Sequence, residues 1–85
     1  MGPPQWSDLG MFLQTFMLLA TEEGLDTCAQ EAWSIKETSV SSFFNIQNEN
    51  DILFCGISIG YADKKDPLAE MRTSRRPLKE WAYFY

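Results

Sequence analysis

The sequence predicts an α+β fold, on three observations. Leu9 to Ala20 is an apolar run of helical length, Asp51 to Tyr61 reads as a buried strand, and the terminal WAYFY alternates as a second extended segment. The chain has 85 residues, enough for one small domain spanning 1–85. A lone core of that size leaves stability marginal, so help from a partner or ligand is expected. With 45% hydrophobic and 14% aromatic residues it is too apolar for disorder.

The helix follows Pro3 and Pro4, with Ser7 or Asp8 as its cap, and runs to about Glu23. Gly24 and Leu25 close it as a left-handed stop with a hydrophobic latch. Leu9, Met11, Phe12, Leu13, Phe16, Met17, Leu18 and Leu19 leave almost no polar face. A surface helix shows a polar stripe, so this one is expected to be buried all round, in a larger core or a subunit interface.

Asp26 to Gln30 reads as a short extended stretch. A second helix is expected from about Glu37 to Phe44, with Val40, Phe43 and Phe44 inward, followed by a polar turn over Asn45 to Asn50. Asp51 to Tyr61 is rich in bulky apolar side chains and bounded by turn residues, as a central strand should be. On one face Leu53, Cys55, Ile57, Ile59 and Tyr61 suit a helix layer. The other, Ile52, Phe54, Gly56, Ser58 and Gly60, shrinks toward its end and leaves room for a backbone or a ligand. Ala62 to Pro77 is a polar loop with one helical turn at Leu68 to Met71. The aromatic tail is expected to pair with a sheet edge, because left in water it is an aggregation hazard.

A net charge of -5 argues against nucleic acid, since phosphate binding needs a basic surface. Every Lys and Arg except Lys36 falls between Lys64 and Lys79, a local positive site on an acidic chain. Arg72, Arg75 and Arg76 beside Thr73 and Ser74 fit two readings. One is a phosphate grip, because guanidinium groups bind phosphate bidentately. The other is a solvated loop whose charges offset the acids.

Cys28 and Cys55 lack metal-ligand and redox spacing, and the chain has no His to complete a zinc site or a nucleophilic pair. Both read as reduced core residues of a cytoplasmic protein. No secretory signal is expected at the N-terminus, and the apolar run is shorter than the ~20 residues needed to span a bilayer. No membrane association is expected. Glu31 stands without a second carboxylate or a His, so it reads as a surface residue before it reads as a base. Trp33 reads as core. No residue set suits catalysis by side chains alone, so any redox chemistry needs a cofactor.

The runs GLDTCAQEAWSI, DILFCGISIGY and MRTSRRPLKEW, in this order and spacing, resemble the C-terminal part of FMN-dependent nitroreductases, in the branch near the nitrobenzoate and nitrobenzene reductases. The resemblance implies a partial nitroreductase-like fold: a buried central helix, a short, mainly antiparallel sheet and an extended C-terminal tail that crosses onto a partner. It also implies FMN as cofactor. Ala29, Gln30, Glu31 and Ala32 would lie along the flavin ring with a main-chain N–H near its N5, so that Glu31 need not act as acid or base. Arg75, with Arg72 as a second candidate, would bind the FMN phosphate, and Thr73 stands where some members carry Lys. By the same resemblance the complete enzyme is a homodimer that passes electrons from NAD(P)H through FMN to a nitroaromatic or a quinone.

Family members carry a longer N-terminal portion, and Met1 resembles an internal methionine of such a protein. The resemblance therefore implies a truncated piece, inactive by itself. The rival reading is a non-catalytic dimerisation module that binds no flavin.

Overall fold

The computed structural model describes residues 2–85, and the reading of Met1 lies outside the described residues. Helix α1 spans Pro3–Glu22. It starts earlier than Ser7 or Asp8: Gly2 is its N-cap, in extended conformation, and Pro3 and Pro4 occupy the first turn. Proline is preorganised for that turn because its fixed φ suits a helix and its missing N–H has no partner there anyway. The Gln5 side chain accepts from Gly2 N at 2.8 Å, closing the entry without Ser7 or Asp8.

The stop is the one expected. Gly24 has φ +79°, its N–H donates to Thr21 O at 3.0 Å, and Leu25 N donates to Ala20 O at 2.9 Å. This pair of reversed bonds is a Schellman motif, and it needs the left-handed conformation that glycine adopts without steric cost.

Gly24 delivers the chain into β1, Asp26–Gln30, which pairs antiparallel with β2, Gly56–Gly60. The rungs run from Asp26 opposite Gly60 to Gln30 opposite Gly56. Between the strands lie a 3₁₀ segment, Glu31–Lys36, and helix α2, Glu37–Phe43. Two side chains pin this hairpin-like unit. Asp26 Oδ2 accepts from Ala62 N at 2.9 Å just beyond β2, and Glu37 Oε1 accepts from Leu53 N at 3.4 Å just before it. Single 3₁₀ turns at Pro67–Ala69 and Leu78–Glu80 punctuate the C-terminal loop.

Four expectations need correction. The strand expected over Asp51 to Tyr61 is laddered only over Gly56–Gly60, because β1 offers five residues of partner and no more. WAYFY is not a strand: Trp81 ends a 3₁₀ turn, and the residues after it lack a ladder partner. Phe43 and Phe44 are not covered within this chain, being 83% and 66% exposed, and their rings meet edge to face at 5.0 Å. Cys28 is exposed and Cys55 half-buried, so neither is a core residue within this chain.

The core is correspondingly thin. Ala20 is the one buried apolar residue among those described, and the half-covered stripe Leu9, Leu13, Met17 follows helical spacing to reach it. The remaining surface of α1 lies open, with Met11 61% and Phe12 66% exposed. The all-round cover expected for this helix does not come from the chain itself. Its radius of gyration is 16.9 Å, against about 12 Å for a compact domain of this length. Its accessible surface is 8009 Å², roughly 2,800 Å² more than a compact protein of this size presents.

Candidate functional site

Three local arrangements bear on a site. The first is the junction where β1 becomes the 3₁₀ segment. Ala29 and Gln30 are the last two rungs of β1, opposite Ile57 and Gly56, and Glu31 and Ala32 begin the following turn. The first N–H groups of such a turn have no acceptor within it. No side chain caps them, because Gln30 is engaged elsewhere: its Oε1 accepts from Trp33 Nε1 at 3.0 Å. Glu31 is exposed. The junction thus presents main-chain donors.

Trp33 owes its place to Gly56. A Cβ built on Gly56 would stand 2.6 Å from Trp33 Cδ1 and 3.2 Å from Cγ and Nε1, well inside van der Waals contact. The room expected on the small-residue face of β2 is therefore taken, at Gly56, by an indole of the same chain. Trp33 is 48% exposed, so it is a half-open lid and not the core residue its apolar surroundings in sequence suggest. A glycine within an apolar strand and a tryptophan soon after the paired strand were the available signals, but only the register joins them.

The second arrangement is a cleft of about 460 Å³ beside this junction, lined by Gln30, Trp33, Val40, Phe44, Leu53 and Gly56 together with Ile57 and Ser58. Its wall is chiefly apolar, with Gln30 and Ser58 as its polar side chains. That composition and size suit a flat, mostly apolar ligand.

The third is the basic loop. Arg75 Nη1 donates to Thr73 Oγ1, to Thr73 O at 3.3 Å and to Ser74 O at 3.2 Å. Arg72 Nη1 donates to Met71 O at 2.9 Å and to Ala69 O at 3.3 Å. Both guanidiniums curl onto their own loop, and neither lines the cleft at Gln30. Within this chain the two halves of the sequence-derived site, residues 29–32 and the arginines, are not joined by any hydrogen bond. Arg76 is committed differently: Nε lies 3.8 Å from Glu80 Oε2, four residues on, and its carbonyl accepts from Trp81 Nε1 at 3.3 Å.

Among the described residues no group of three His, Cys, Asp or Glu is placed to hold a metal ion, and no helix is long and apolar enough to cross a membrane.

Comparison with known proteins gives these arrangements a context. The sequence profile of the nitroreductase family matches residues 3–61, from the start of α1 to just past β2. The chain is 34% identical over 79 residues to a 4-nitrobenzoate reductase of Pseudomonas putida, covering 93% of this chain and 34% of that protein. It is 36% identical over 75 residues to a nitrobenzene nitroreductase of Ectopseudomonas oleovorans, covering 88% of this chain and 33% of that one. Among solved structures, the FMN- and NADPH-dependent nitroreductase NfnB from sphigopyxis sp. strain HMH superposes with a TM-score of 0.91 at 40% identity, over 100% of this chain and 38% of that one. The chain thus spans about a third of the length of the curated relatives it matches. In NfnB the matching helix, ladder and loop belong to a longer chain, of which this one covers 38%. With the profile covering most of its elements and its fold superposing on a solved member, the chain belongs to the nitroreductase family.

Proposed function

We propose that this chain is the C-terminal portion of an FMN-dependent NAD(P)H oxidoreductase that reduces nitroaromatics or quinones, and that it carries one wall of the flavin site. The observation that carries the reading is the superposition of the whole chain, at 40% identity, on a protein described as FMN- and NADPH-dependent. The curated relatives act on nitrobenzoate and nitrobenzene, which supports an aromatic nitro group as the acceptor.

The residues present suit FMN. Its flat ring needs an apolar wall and hydrogen-bond donors at its edge, and its phosphate needs fixed positive charge. The cleft beside Gln30 offers the wall. The uncapped start of the Glu31–Lys36 turn offers the donors. Arg75 and Arg72 offer the charge, since bonds to their own loop carbonyls are readily exchanged for stronger, charge-assisted bonds to phosphate oxygens. Bound FMN supplies the hydride chemistry between NAD(P)H and the acceptor. The protein's part is to hold the ring against Ala29, Gln30, Glu31 and Ala32, donate to it from the main chain, and anchor the phosphate at Arg75 with Arg72 in support.

The complete protein acts in this reading as a cytoplasmic homodimer, with α1 and the WAYFY tail covered by a partner. This chain by itself is not expected to turn over. Titrating purified chain into FMN tests the reading: quenching of flavin fluorescence that saturates supports it. Absence of binding would favour the second reading, a dimerisation module without flavin, whose own support is the open apolar surface of α1.

A further inference from the structure

We propose that Trp33 is a positioning residue that sets the main chain of Gln30, Glu31 and Ala32. The inference rests on the flavin reading for its functional half and on geometry alone for its structural half. Gln30 and Gly56 are opposite rungs of the ladder. Trp33 touches both: its indole lies where a Gly56 side chain would be, and its Nε1 donates to Gln30 Oε1 at 3.0 Å. One side chain therefore clamps the last rung of β1 to β2 and draws in the turn that follows.

The clamp has two further effects. It holds the Gln30 carboxamide away from the free amides of the Glu31–Lys36 turn, which an unrestrained Gln at the N-cap could otherwise satisfy. It also fixes the direction in which those amides point, since only Glu31 and Ala32 lie between Gln30 and its donor and so short a segment has little slack. Glycine at position 56 is required for the clamp, because any Cβ there displaces the indole. The glycine of β2 and the tryptophan after β1 thus form one device for presenting main-chain donors to a flat ligand.

The test uses the full chain, isotopically labelled, with FMN as the probe. Trp33→Phe removes the donor but keeps an aromatic ring, and Gly56→Ala expels the indole. Each is expected to shift the amide resonances of Gln30, Glu31 and Ala32 while leaving those of the Gly24 stop unmoved. Each is also expected to weaken FMN binding about fivefold, the effect of losing one ordinary hydrogen bond. The visible absorption band of the flavin that still binds should move too, which general destabilisation does not produce. In a Trp33→Ala background, Gly56→Ala should cost nothing further, because the clash is gone. Unmoved amide resonances in both single variants overturn the clamp. Wild-type affinity and an unshifted flavin band in Trp33→Phe overturn its role toward the ligand. A wild-type chain that binds no FMN overturns the proposed function, and the clamp then stands or falls on the resonances.

Discussion

Trp6 and Phe54 meet with ring centroids 5.6 Å apart and planes inclined by 45°, joining the first turn of α1 to the residues that lead into β2. Tilted aromatic pairs of this kind contribute about 0.5–1.5 kcal/mol beyond the area they bury. Phe54→Leu keeps an apolar side chain but removes the pair, and should destabilise the chain by about 1 kcal/mol. A urea titration followed by far-UV circular dichroism, at fixed protein concentration, reads this as a lower midpoint. An unchanged midpoint would mean that the helix and the strand are held together elsewhere.

The helix stop offers a second test. Gly24→Ala places a Cβ in the left-handed region at φ +79°, at a cost of roughly 1–2 kcal/mol. For a domain of this length each kcal/mol lowers the thermal midpoint by about 4–8 °C. Gly24→Asn should lose less, because Asn tolerates the left-handed region better than Ala. Equal midpoints for the two variants would show that the Schellman geometry contributes little.

The phosphate assignment separates two neighbouring arginines. Arg75→Ala should weaken FMN binding about tenfold or more, the scale of a lost charge-assisted hydrogen bond. Arg76→Ala removes an exposed pair with Glu80, worth about 0–1 kcal/mol of stability, and should leave FMN affinity within about twofold. If Arg76→Ala is the more damaging of the two, the assignment moves by one residue.

The open face of α1 predicts self-association. Met11 and Phe12, 61% and 66% exposed on α1, are large apolar side chains of the kind that interfaces cover. Sedimentation velocity of the purified chain should show a concentration-dependent dimer or larger species. Phe12→Asp, at a position 66% exposed, should shift the distribution toward monomer. A wild-type chain that stays monomeric at high concentration would remove the case for a partner on this face.

Features governed by local chemistry were legible in the sequence. The Gly24 stop and α2 could be read because a left-handed glycine and the helical spacing of Val40, Phe43 and Phe44 act over a few residues, even though the Thr, Val and Ser of α2 are weak helix formers. The start of α1 was misplaced because Ser7 and Asp8 are good caps in isolation, yet Pro3 and Pro4 already suit a first turn and no side chain had to compete. The full length of the strand after Asp51 and a ladder for WAYFY within this chain were misjudged for a different reason. Alternating apolar residues declare that they want cover, but they do not say whether the same chain provides it. Within the candidate site, the arginines stand out in the sequence as a cluster of charge, whereas Ala29 to Ala32 and the choice of Arg75 follow only from family resemblance, and Trp33 reads as core because its partner, Gly56, is distant in sequence and close only once the register is fixed.

The register also sets an order of assembly. Of the five rungs, Gln30 with Gly56 closes the shortest stretch of chain and Asp26 with Gly60 the longest. Loop closure costs less entropy when fewer residues are enclosed, here by about 0.2 kcal/mol between the two end rungs, a slight preference for pairing that starts at Gln30 and zips outward toward Asp26. If the contact of Trp33 with Gly56 forms in that first step, refolding measured against unfolding will show it: its loss should slow refolding more than it speeds unfolding. A residue suited to aim donors at a ligand would in that case also be the one that decides how quickly the sheet is found.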